Sequence, residues 1–212
     1  PGACKANLST IGPMTGGWAT GSSDSYVGME LKHAGYDAVI LEGRSHLPCY
    51  LYITDEKVEI RDALALWGKT TWETLDALRE ELNDPKLHAI SIGPAGENLV
   101  RGASVIQDRG RGFGRCGTGA VLGSKNVKAI VCKGKQPIKI ADRERFLKIV
   151  RDCRKRIVEH AQYKKFRKYA TLGIFEHKQE MGAIPYKNSQ ESIFPEDADV
   201  SMDPVNVIDK YT

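Results

Sequence analysis

The segment from Asp108 to Gly119 has the composition of an anion-binding loop. Its five glycines leave backbone N–H groups accessible, and its three arginines carry planar, forked donors that suit phosphate and other anionic or hydrogen-bonding groups. The arginines are Arg109, Arg111 and Arg115. A glycine-rich turn whose arginines point into water is the structural alternative, but the density of donors favours a binding loop.

Gly112, Gly114 and Gly117 match the G-x-G-x-x-G pattern of dinucleotide-binding proteins. The context argues against that interpretation, because these glycines do not directly follow a predicted strand. Only about ten residues separate Gly117 from the next predicted strand, whereas a βαβ crossover needs about a dozen or more. Lys133 also stands where the motif needs an acidic residue. We therefore disfavour a dinucleotide site.

The alternation of arginine and glycine also raises the hypothesis of RNA binding, because guanidinium planes stack on bases and contact phosphates. Phe113 is the only aromatic residue within the run. The strand and helix patterns on both sides also differ from a disordered Arg-Gly tail. A non-catalytic module that binds nucleotides or nucleic acid, and a scaffold without a ligand, are the alternative functions.

A second polar loop lies between Gly21 and Gly28, where residues 22–25 read Ser-Ser-Asp-Ser. Its hydroxyl groups and bare amides can bind a ring system or a hydrated cation. A serine-rich turn without a ligand explains the composition equally well. The histidines form no triad or metal-ligand spacing and the cysteines form no C-x-x-C pair. We therefore predict no catalytic residue, no zinc site and no complete iron–sulfur site from spacing.

Regular elements must hold these loops in place. The clearest predicted helix spans residues 71–82, because Thr70 and Glu73 form a capping box and leucines recur at helical spacing. A long amphipathic helix is predicted from Asp142, and the last forty residues lose periodicity. The predicted strands are residues 38–42, 50–53, 58–61, 89–92 and 104–106, and a further strand begins at Ala129.

Each of the two loops precedes one copy of an internal repeat. Residues 28–44 match residues 119–135 at a constant offset of 91 residues, and both contain a helix pattern followed by an apolar strand. We predict an α+β fold of mixed β-sheets with a pseudo-twofold duplication, in which two similar loops face two similar halves of a ligand. The predicted domains are residues 1–140, truncated at the start, and residues 141–212, which begin a helical domain or form a connecting segment.

The bulk composition describes a soluble globular protein. Of its 212 residues, 41% are hydrophobic and 27% are charged, and the net charge is +4. No apolar run approaches the roughly 18 residues that a membrane helix needs, and the cysteine usage favours a reducing, cytoplasmic location. Residues 143–168 contain eleven Lys and Arg. A solvated helix face explains this run, with a docking surface for an acidic partner as the alternative.

Four motifs together resemble the aldehyde:ferredoxin oxidoreductase family, and their order and spacing both fit. They are Leu31-Lys-His-Ala-Gly-Tyr-Asp-Ala-Val-Ile-Leu-Glu-Gly43, Leu66-Trp-Gly-Lys69, Ile92-Gly-Pro-Ala-Gly-Glu-Asn98 and Gly119-Ala-Val-Leu-Gly-Ser-Lys-Asn-Val-Lys-Ala-Ile130. The resemblance implies that residues 1–140 are a pterin-binding N-terminal domain. In that family this domain is a duplicated α+β unit that forms a base for two pterin dithiolenes holding one tungsten.

The resemblance also implies a set of cofactor-binding residues. Ser22 and Asp24 match the loop that touches one pterin, and Lys5 stands where the family usually has an arginine between pterin and cluster. The positions matching the loop at the other pterin are Arg111, Gly112, Gly114 and Arg115. The backbone carbonyls of Ser22 and Gly112 match positions that help to hold a magnesium ion between the two terminal phosphates, which is an oxygen-only environment.

The resemblance finally implies the activity and partners of the whole enzyme. It would oxidise aldehydes to carboxylic acids, or run a related low-potential reaction, with ferredoxin or another electron-carrier protein as acceptor. Its cofactors would be a tungsten or molybdenum bis-molybdopterin, magnesium, and a 4Fe-4S iron–sulfur cluster bound by parts of the chain outside these residues. We expect a homo-oligomer without nucleic acid or a membrane span, and we do not expect this fragment to be active without its remaining domains.

Overall fold

The computed structural model describes residues 5–194 and 204–211, which belong to two compact units. One unit lies within Gly2–Lys139 and the other within Ile140–Thr212. Their strands are β1 (Lys5–Ile11), β2 (Trp18–Asp24), β3 (Cys49–Thr54), β4 (Val58–Asp62), β5 (Ala89–Ser91), β6 (Val105–Gln107), β7 (Arg111–Phe113) and β8 (Val127–Lys133). Their helices are α1 (Tyr26–His33), α2 (Thr71–Glu81), α3 (Pro94–Glu97), α4 (Thr118–Ser124), α5 (Arg143–Glu159), α6 (Tyr163–Tyr169), α7 (Phe175–Glu180) and α8 (Pro204–Tyr211), with 3-10 turns at Leu64–Leu66 and Ala170–Ile174.

All eight strands lie in the first unit and form two sheets. The larger sheet has the order β4-β3-β8-β5-β6-β7, in which β3 and β8 run parallel and every other neighbouring pair is antiparallel. The smaller sheet is the antiparallel hairpin of β1 and β2. The predicted mixed sheets with helices are therefore confirmed.

The core of this unit lies on both faces of the larger sheet. Strand β8 is buried along six of its seven residues, as expected for a strand covered on both sides. On one face α2 packs Leu75 and Leu78 against Tyr50 and Val131. On the other face, residues of α1 and α4 join the second apolar cluster. The larger sheet is thus the middle of three layers, with helices packed on both of its faces.

Local sequence signals set the ends of two elements as predicted. The Thr70 side chain accepts from the Glu73 N–H and the Glu73 carboxylate accepts from the Thr70 N–H, which confirms the capping box at the start of α2. The predicted hairpin over residues 50–61 is confirmed as β3 and β4. In both places the signal is contained within a few consecutive residues.

Two predictions about local structure were wrong. Residues 38–42 form no strand, and no backbone–backbone hydrogen bond involves residues 37–44 within the part of the chain that the structure describes. A strand needs a neighbour to satisfy its amides, and no described strand lies beside this segment. Residues 111–113, predicted as loop, form the short strand β7 at the edge of the larger sheet. The pseudo-twofold duplication stays a prediction, because residues 38–42 of the first repeat copy lack the strand that β8 forms in the second copy.

The second unit is helical where it is described. Helix α5 begins after Asp142, whose side chain accepts from the Arg145 N–H, as an amphipathic pattern from that residue predicted. None of its residues is buried. The last forty residues contain α7, α8 and a single β-bridge between Tyr186 and Glu191, but residues 195–203 lie outside the described residues. No described helix is long and apolar enough to cross a membrane.

Candidate functional site

The two loops singled out in the sequence, at residues 22–25 and 108–119, lie in direct contact. Arg111, at the start of β7, donates from Nη1 to the Asp24 carboxylate at the end of β2, with a distance of 3.1 Å. Both side chains are more than half exposed. Residues separated by 87 positions in the sequence therefore meet at one surface of the first unit.

A close backbone approach holds the two loops together. A Cβ atom at Gly21 of β2 would lie 2.9 Å from the Phe113 carbonyl oxygen of β7, so only glycine fits there without a shift. One position earlier, the Thr20 carbonyl oxygen accepts from the Cys116 thiol at 3.6 Å. Gly21, which the sequence placed at the boundary of the polar loop, is therefore required by its close packing against Phe113.

The exposed face of the β1–β2 hairpin carries a ladder of three polar pairs, followed by the apolar pair Ile11 and Trp18 near the turn. In its register Lys5 lies opposite Asp24, and Asn7 lies opposite Ser22. Ser22 Oγ donates to Asn7 Oδ1 at 2.5 Å. Side chains of β2 alternate between exposed and buried, so Ser22 and Asp24 share the exposed face with their partners on β1. We call the exposed side chains of this ladder the hairpin face.

The loop after β7 has an unusual backbone. Arg115, Cys116 and Gly117 all have positive φ values, of 63°, 62° and 69°. For residues other than glycine this conformation costs roughly 1–2 kcal/mol each, so the surrounding contacts must hold it. Gly117 packs so tightly that a Cβ atom there would lie 2.1 Å from the Arg101 carbonyl oxygen. The strained loop is thereby anchored at its last residue.

Two further predicted residues of this loop face open space. A Cβ atom at Gly114 would meet no atom within 4 Å, so packing among the residues that the structure describes gives no reason for glycine there. The Arg115 side chain is exposed and has no ion pair or hydrogen bond among the described residues. Gly112 is half-buried against Ile106. The donors around Gly114 are therefore available to a ligand.

Arg109 does not belong to this surface. Its Nη2 donates to both carboxylate oxygens of Asp76 at 2.6 and 2.8 Å, and its guanidinium lies 5.5 Å from the centre of the Trp72 ring. Asp76 and Trp72 are both on α2. The composition of the loop suggested three arginines for one ligand, but Arg109 is directed to α2, whereas Arg111 contacts the β1–β2 hairpin.

A supporting network that sequence analysis missed lies behind the Asp24–Arg111 contact. His88 Nδ1 is 2.8 Å from Asp108 Oδ2, and the Tyr26 ring stacks on His88 with centroids 4.5 Å apart. The fully buried Gln107 side chain accepts from the Val27 N–H and donates to Asp108. These contacts fix the β6–β7 turn against the first turn of α1. No spacing signal could have revealed them, because the partners come from distant segments.

A second missed feature is a buried ion pair in the larger sheet. Lys128 of β8 is fully buried and contacts the Glu97 carboxylate, and Lys128 Nζ also donates to the Lys69 carbonyl oxygen at 2.7 Å. The other Glu97 oxygen accepts from the Gly68 N–H at 2.8 Å. Burial lowers the pKa of the Lys128 ammonium, and the Glu97 carboxylate opposes that shift. The pair joins the turn before α2 to α3.

Residues 1–134 match the family described as aldehyde ferredoxin oxidoreductase, N-terminal domain. Two curated relatives are tungsten-containing aldehyde ferredoxin oxidoreductases, from Pyrococcus furiosus and Thermococcus kodakarensis. Each is 43% identical to this chain, and the matched part covers 89% of this chain and 31% of the relative. The aliphatic sulfonate oxidoreductase, WOR-like subunit, of Pyrococcus furiosus is 33% identical over 88% of this chain and 32% of that protein.

A solved structure is also similar. It is the active site complex BamBC of benzoyl coenzyme A reductase in complex with 1,5-dienoyl-CoA, with a TM-score of 0.71 and 39% identity. The matched part covers 73% of this chain and 24% of that one. This chain spans about 31% of the length of the first curated relatives, so it matches a part of larger proteins.

Proposed function

The chain belongs to the aldehyde ferredoxin oxidoreductase family, and on that premise we propose that the hairpin face and the loop after β7 bind the two pterins of a tungsten cofactor. The observation that carries the proposal is the contact between Asp24 and Arg111, which joins the two loops into one exposed surface. Lys5, Ser22 and Asp24 would bind one pterin. Arg111, Gly112, Gly114 and Arg115 would bind the other.

The chemistry of these residues fits the group. Two dithiolenes with two terminal phosphates, around tungsten or molybdenum, form a strongly anionic assembly. Lys5, Arg111 and Arg115 supply positive charge, and the backbone N–H groups around Gly114 border space that no atom of the described residues fills. The negative charge of Asp24 is offset by Arg111. When bound, the metal–pterin group supplies the redox chemistry, and this chain binds it, orients it and excludes water.

We propose a magnesium site between the loops, at the backbone carbonyls of Ser22 and Gly112. Magnesium prefers oxygen ligands and retains several waters, so two carbonyl groups can complete a site with phosphate oxygens. Gly21 and Phe113 are in backbone contact, and Ser22 and Gly112 are each their immediate neighbours in the sequence. The two carbonyl-bearing residues are thereby brought to the same junction.

The pseudo-twofold duplication and the domain division belong to the same proposal. Two repeat copies, each following one ligand-binding loop, would match a cofactor made of two pterins. Residues 1–140 would form the pterin-binding domain, and residues 141–212 would begin the next helical domain or form a connecting segment.

For the whole enzyme we propose the oxidation of aldehydes to carboxylic acids, or a related low-potential reaction, with ferredoxin or another electron carrier as acceptor. A 4Fe-4S cluster would be bound by parts of the polypeptide beyond the residues described here, and the enzyme would be a cytoplasmic homo-oligomer. The relatives include a tungsten-containing aldehyde ferredoxin oxidoreductase, an aliphatic sulfonate oxidoreductase subunit and a benzoyl coenzyme A reductase complex. We propose that residues outside this chain set the substrate.

Gly114→Ala in the full-length protein tests cofactor binding at the loop. We expect the tungsten and pterin content per polypeptide to fall several-fold, because the added methyl group would overlap the space that the bound pterin occupies. Gly110→Ala is the matched control, since a Cβ atom there also meets nothing within 4 Å. Metal analysis and fluorescence of the oxidised pterin give the readout, and thermal unfolding checks that both variants fold. Equal cofactor content in the two variants would contradict the proposal.

The alternative function is a module that binds nucleotides or nucleic acid through the Arg-Gly run. The structure gives it less support, because the arginines of the run contact different elements: Arg109 contacts Asp76 and Trp72 on α2, whereas Arg111 contacts Asp24 on β2. Retention of the natively purified full-length protein on nucleic acid, with neither tungsten nor molybdenum bound, would favour this alternative.

A further inference from the structure

The contact between Asp24 and Arg111 is too exposed to hold the two loops in one geometry by itself. Both side chains are more than half exposed, and water screens an ion pair in that setting while the two side chains lose conformational entropy. A ligand-binding surface, however, needs its donors within about 0.5 Å of their working positions. The direction of Arg111 must therefore be set by contacts beneath the surface.

Those contacts converge on Asp108, the first residue of the turn between β6 and β7. Asp108 Oδ1 accepts from the Ala89 N–H at 3.2 Å, and Oδ2 accepts from Gln107 Nε2 at 3.3 Å. His88 Nδ1 lies 2.8 Å from the same Oδ2 atom. Because an ionised carboxylate can only accept, His88 carries a proton on Nδ1 and donates it. Three donors thus hold the carboxylate that lies three residues before Arg111.

The backbone of Asp108 turns the chain at the same point. Its φ is 50°, in the left-handed region that residues other than glycine seldom adopt. Its N–H donates to the Ala89 carbonyl oxygen at 3.0 Å, so both its backbone and its side chain are bound to the start of β5. After this turn Arg109 contacts α2, whereas Arg111 contacts Asp24. Asp108 is therefore the point at which the two arginines diverge.

His88 also connects this turn to the other loop. The Tyr26 ring stacks on the His88 ring with centroids 4.5 Å apart and an angle of 18° between the ring planes. Tyr26 is the first residue of α1, two positions after Asp24. The side chains of His88 and Asp108 are 28% and 20% exposed, so water screens their contact less than it screens the contact between the loops. His88 thus touches one loop through its ring face and the other through Nδ1.

The two contacts of His88 need a flat ring and a nearby donor atom on one side chain, and imidazole supplies both. A phenylalanine side chain keeps a ring for Tyr26 but has no donor. An asparagine side chain has no ring, but its Nδ2 lies as many bonds from the backbone as His Nδ1 and can donate to Asp108. The two contacts can therefore be separated by substitution.

We propose that His88 is a positioning residue for the pterin-binding surface, and that it acts through Asp108 to direct Arg111 toward the bound cofactor. The proposal rests on the proposed pterin binding. Neither His88 nor Asp108 is among the positions for which the family resemblance implies a cofactor contact. Their contribution is to hold the turn in one conformation, so that the guanidinium of Arg111 and the N–H groups after it keep one orientation.

Substitutions at His88 in the full-length protein test this role. We expect His88→Phe to lower the tungsten and pterin content per polypeptide at least about fivefold, because it removes the donor to Asp108. His88→Asn should stay within about twofold of the wild type, because it retains that donor. His33→Phe is the matched control, since it removes a similar contact to the Gln136 carbonyl oxygen at the other end of α1. Metal analysis and pterin fluorescence give the content, and thermal unfolding reports stability separately.

Two outcomes of this experiment overturn the proposal. The first is a cofactor content in His88→Phe that equals that of the His33→Phe control. The second is an equal loss in His88→Phe and His88→Asn, because the donor to Asp108 would then make no difference.

Asp108→Gly tests whether His88 acts through Asp108. Glycine adopts a positive φ without strain, so this variant removes the carboxylate and keeps the turn. We expect the cofactor content to fall about as far as in His88→Phe, and the double variant to lose no more than Asp108→Gly alone. Losses that multiply in the double variant overturn the proposal, since His88 would then act independently of Asp108.

Hydrogen–deuterium exchange separates this proposal from pterin binding itself. The amides of residues 109–113 should exchange at least about tenfold faster in His88→Phe than in His88→Asn, with or without cofactor. Equal exchange in the two variants overturns the positioning role. A wild-type protein that contains neither tungsten, molybdenum nor pterin would instead contradict the proposed function, while the exchange experiment would still test how the turn is held.

Discussion

The centre of the larger sheet and the hairpin face contain the same residue types but differ in how far these residues are buried. Both regions contain glycines in close sequence and both contain a lysine or arginine beside a carboxylate. In the centre, around β8, α3 and α4, these residues are enclosed by the fold. At the hairpin face and the loop after β7 they remain exposed.

The glycines differ in what requires them. A Cβ atom at Gly123 of α4 would lie 1.9 Å from the Gly96 carbonyl oxygen, and one at Gly119 would lie 2.7 Å from the Ser104 carbonyl oxygen. Backbone atoms cannot move aside as a flexible side chain can, so packing dictates glycine there. A Cβ atom at Gly114 would meet no atom of the described residues within 4 Å. Glycine there leaves the backbone open, as it also does at Gly102 and Gly110, so the role proposed for Gly114 rests on its place in the proposed pterin-binding loop.

The ion pairs form a series from buried to exposed. Lys128 and Glu97 are 0% and 4% exposed in their side chains, Lys133 and Asp84 are 42% and 18%, and Arg111 and Asp24 are 59% and 57%. Desolvation makes a broken pair costly inside the protein, whereas water replaces a lost partner at the surface. The series therefore predicts decreasing effects on stability, which the following substitutions test.

Lys128→Met should have the largest effect. It leaves the Glu97 carboxylate buried without its partner, so we expect the free energy of unfolding to fall by about 3–5 kcal/mol. Urea denaturation of the full-length protein measures this loss. The double variant with Glu97→Leu should recover part of it, because no unpaired charge then remains. A loss below about 1 kcal/mol for Lys128→Met would break the comparison.

Gly123→Ala should follow, with a loss of about 1–3 kcal/mol or more, because the new methyl group overlaps the Gly96 backbone. Gly102→Ala is the control, since a Cβ atom there meets nothing within 4 Å. The same denaturation experiment compares the two variants. Equal stability would show that α3 and α4 separate easily, contrary to the packing of the centre.

Asp84→Asn should have a smaller effect that depends on pH. The hydrogen bond from Lys133 lowers the pKa of the Asp84 carboxyl, so the pair contributes stability above the unfolded pKa of about 3.9 and loses it as the pH falls through the folded pKa. Thermal unfolding of the wild type and the variant should differ at pH 7 and converge at lower pH. A constant difference across that range would contradict this assignment.

Asp24→Asn should have the smallest effect on stability, below about 1 kcal/mol, because its ion pair with Arg111 is exposed. A larger loss would show that the pair holds the fold, and the contrast between the two regions would then fail. The cofactor content of the same variant gives a second readout, since the proposal places Asp24 at a pterin.

The sequence by itself was enough where a signal is local. The capping box of α2 and the β3–β4 hairpin are each contained in a few consecutive residues, and the backbone follows them directly. Four short motifs in the right order were also sufficient for the family, which the comparisons confirm.

Only the tertiary structure decided which charged residues are exposed and which are paired or buried. Arg109 turns to Asp76 on α2, Lys128 is buried against Glu97, and Asp24 meets Arg111. Residues 38–42 stay without a strand although their sequence matches β8. The reason is physical: a helix cap or a turn satisfies its own backbone groups, whereas a strand, an ion pair or an open loop depends on what distant segments place beside it.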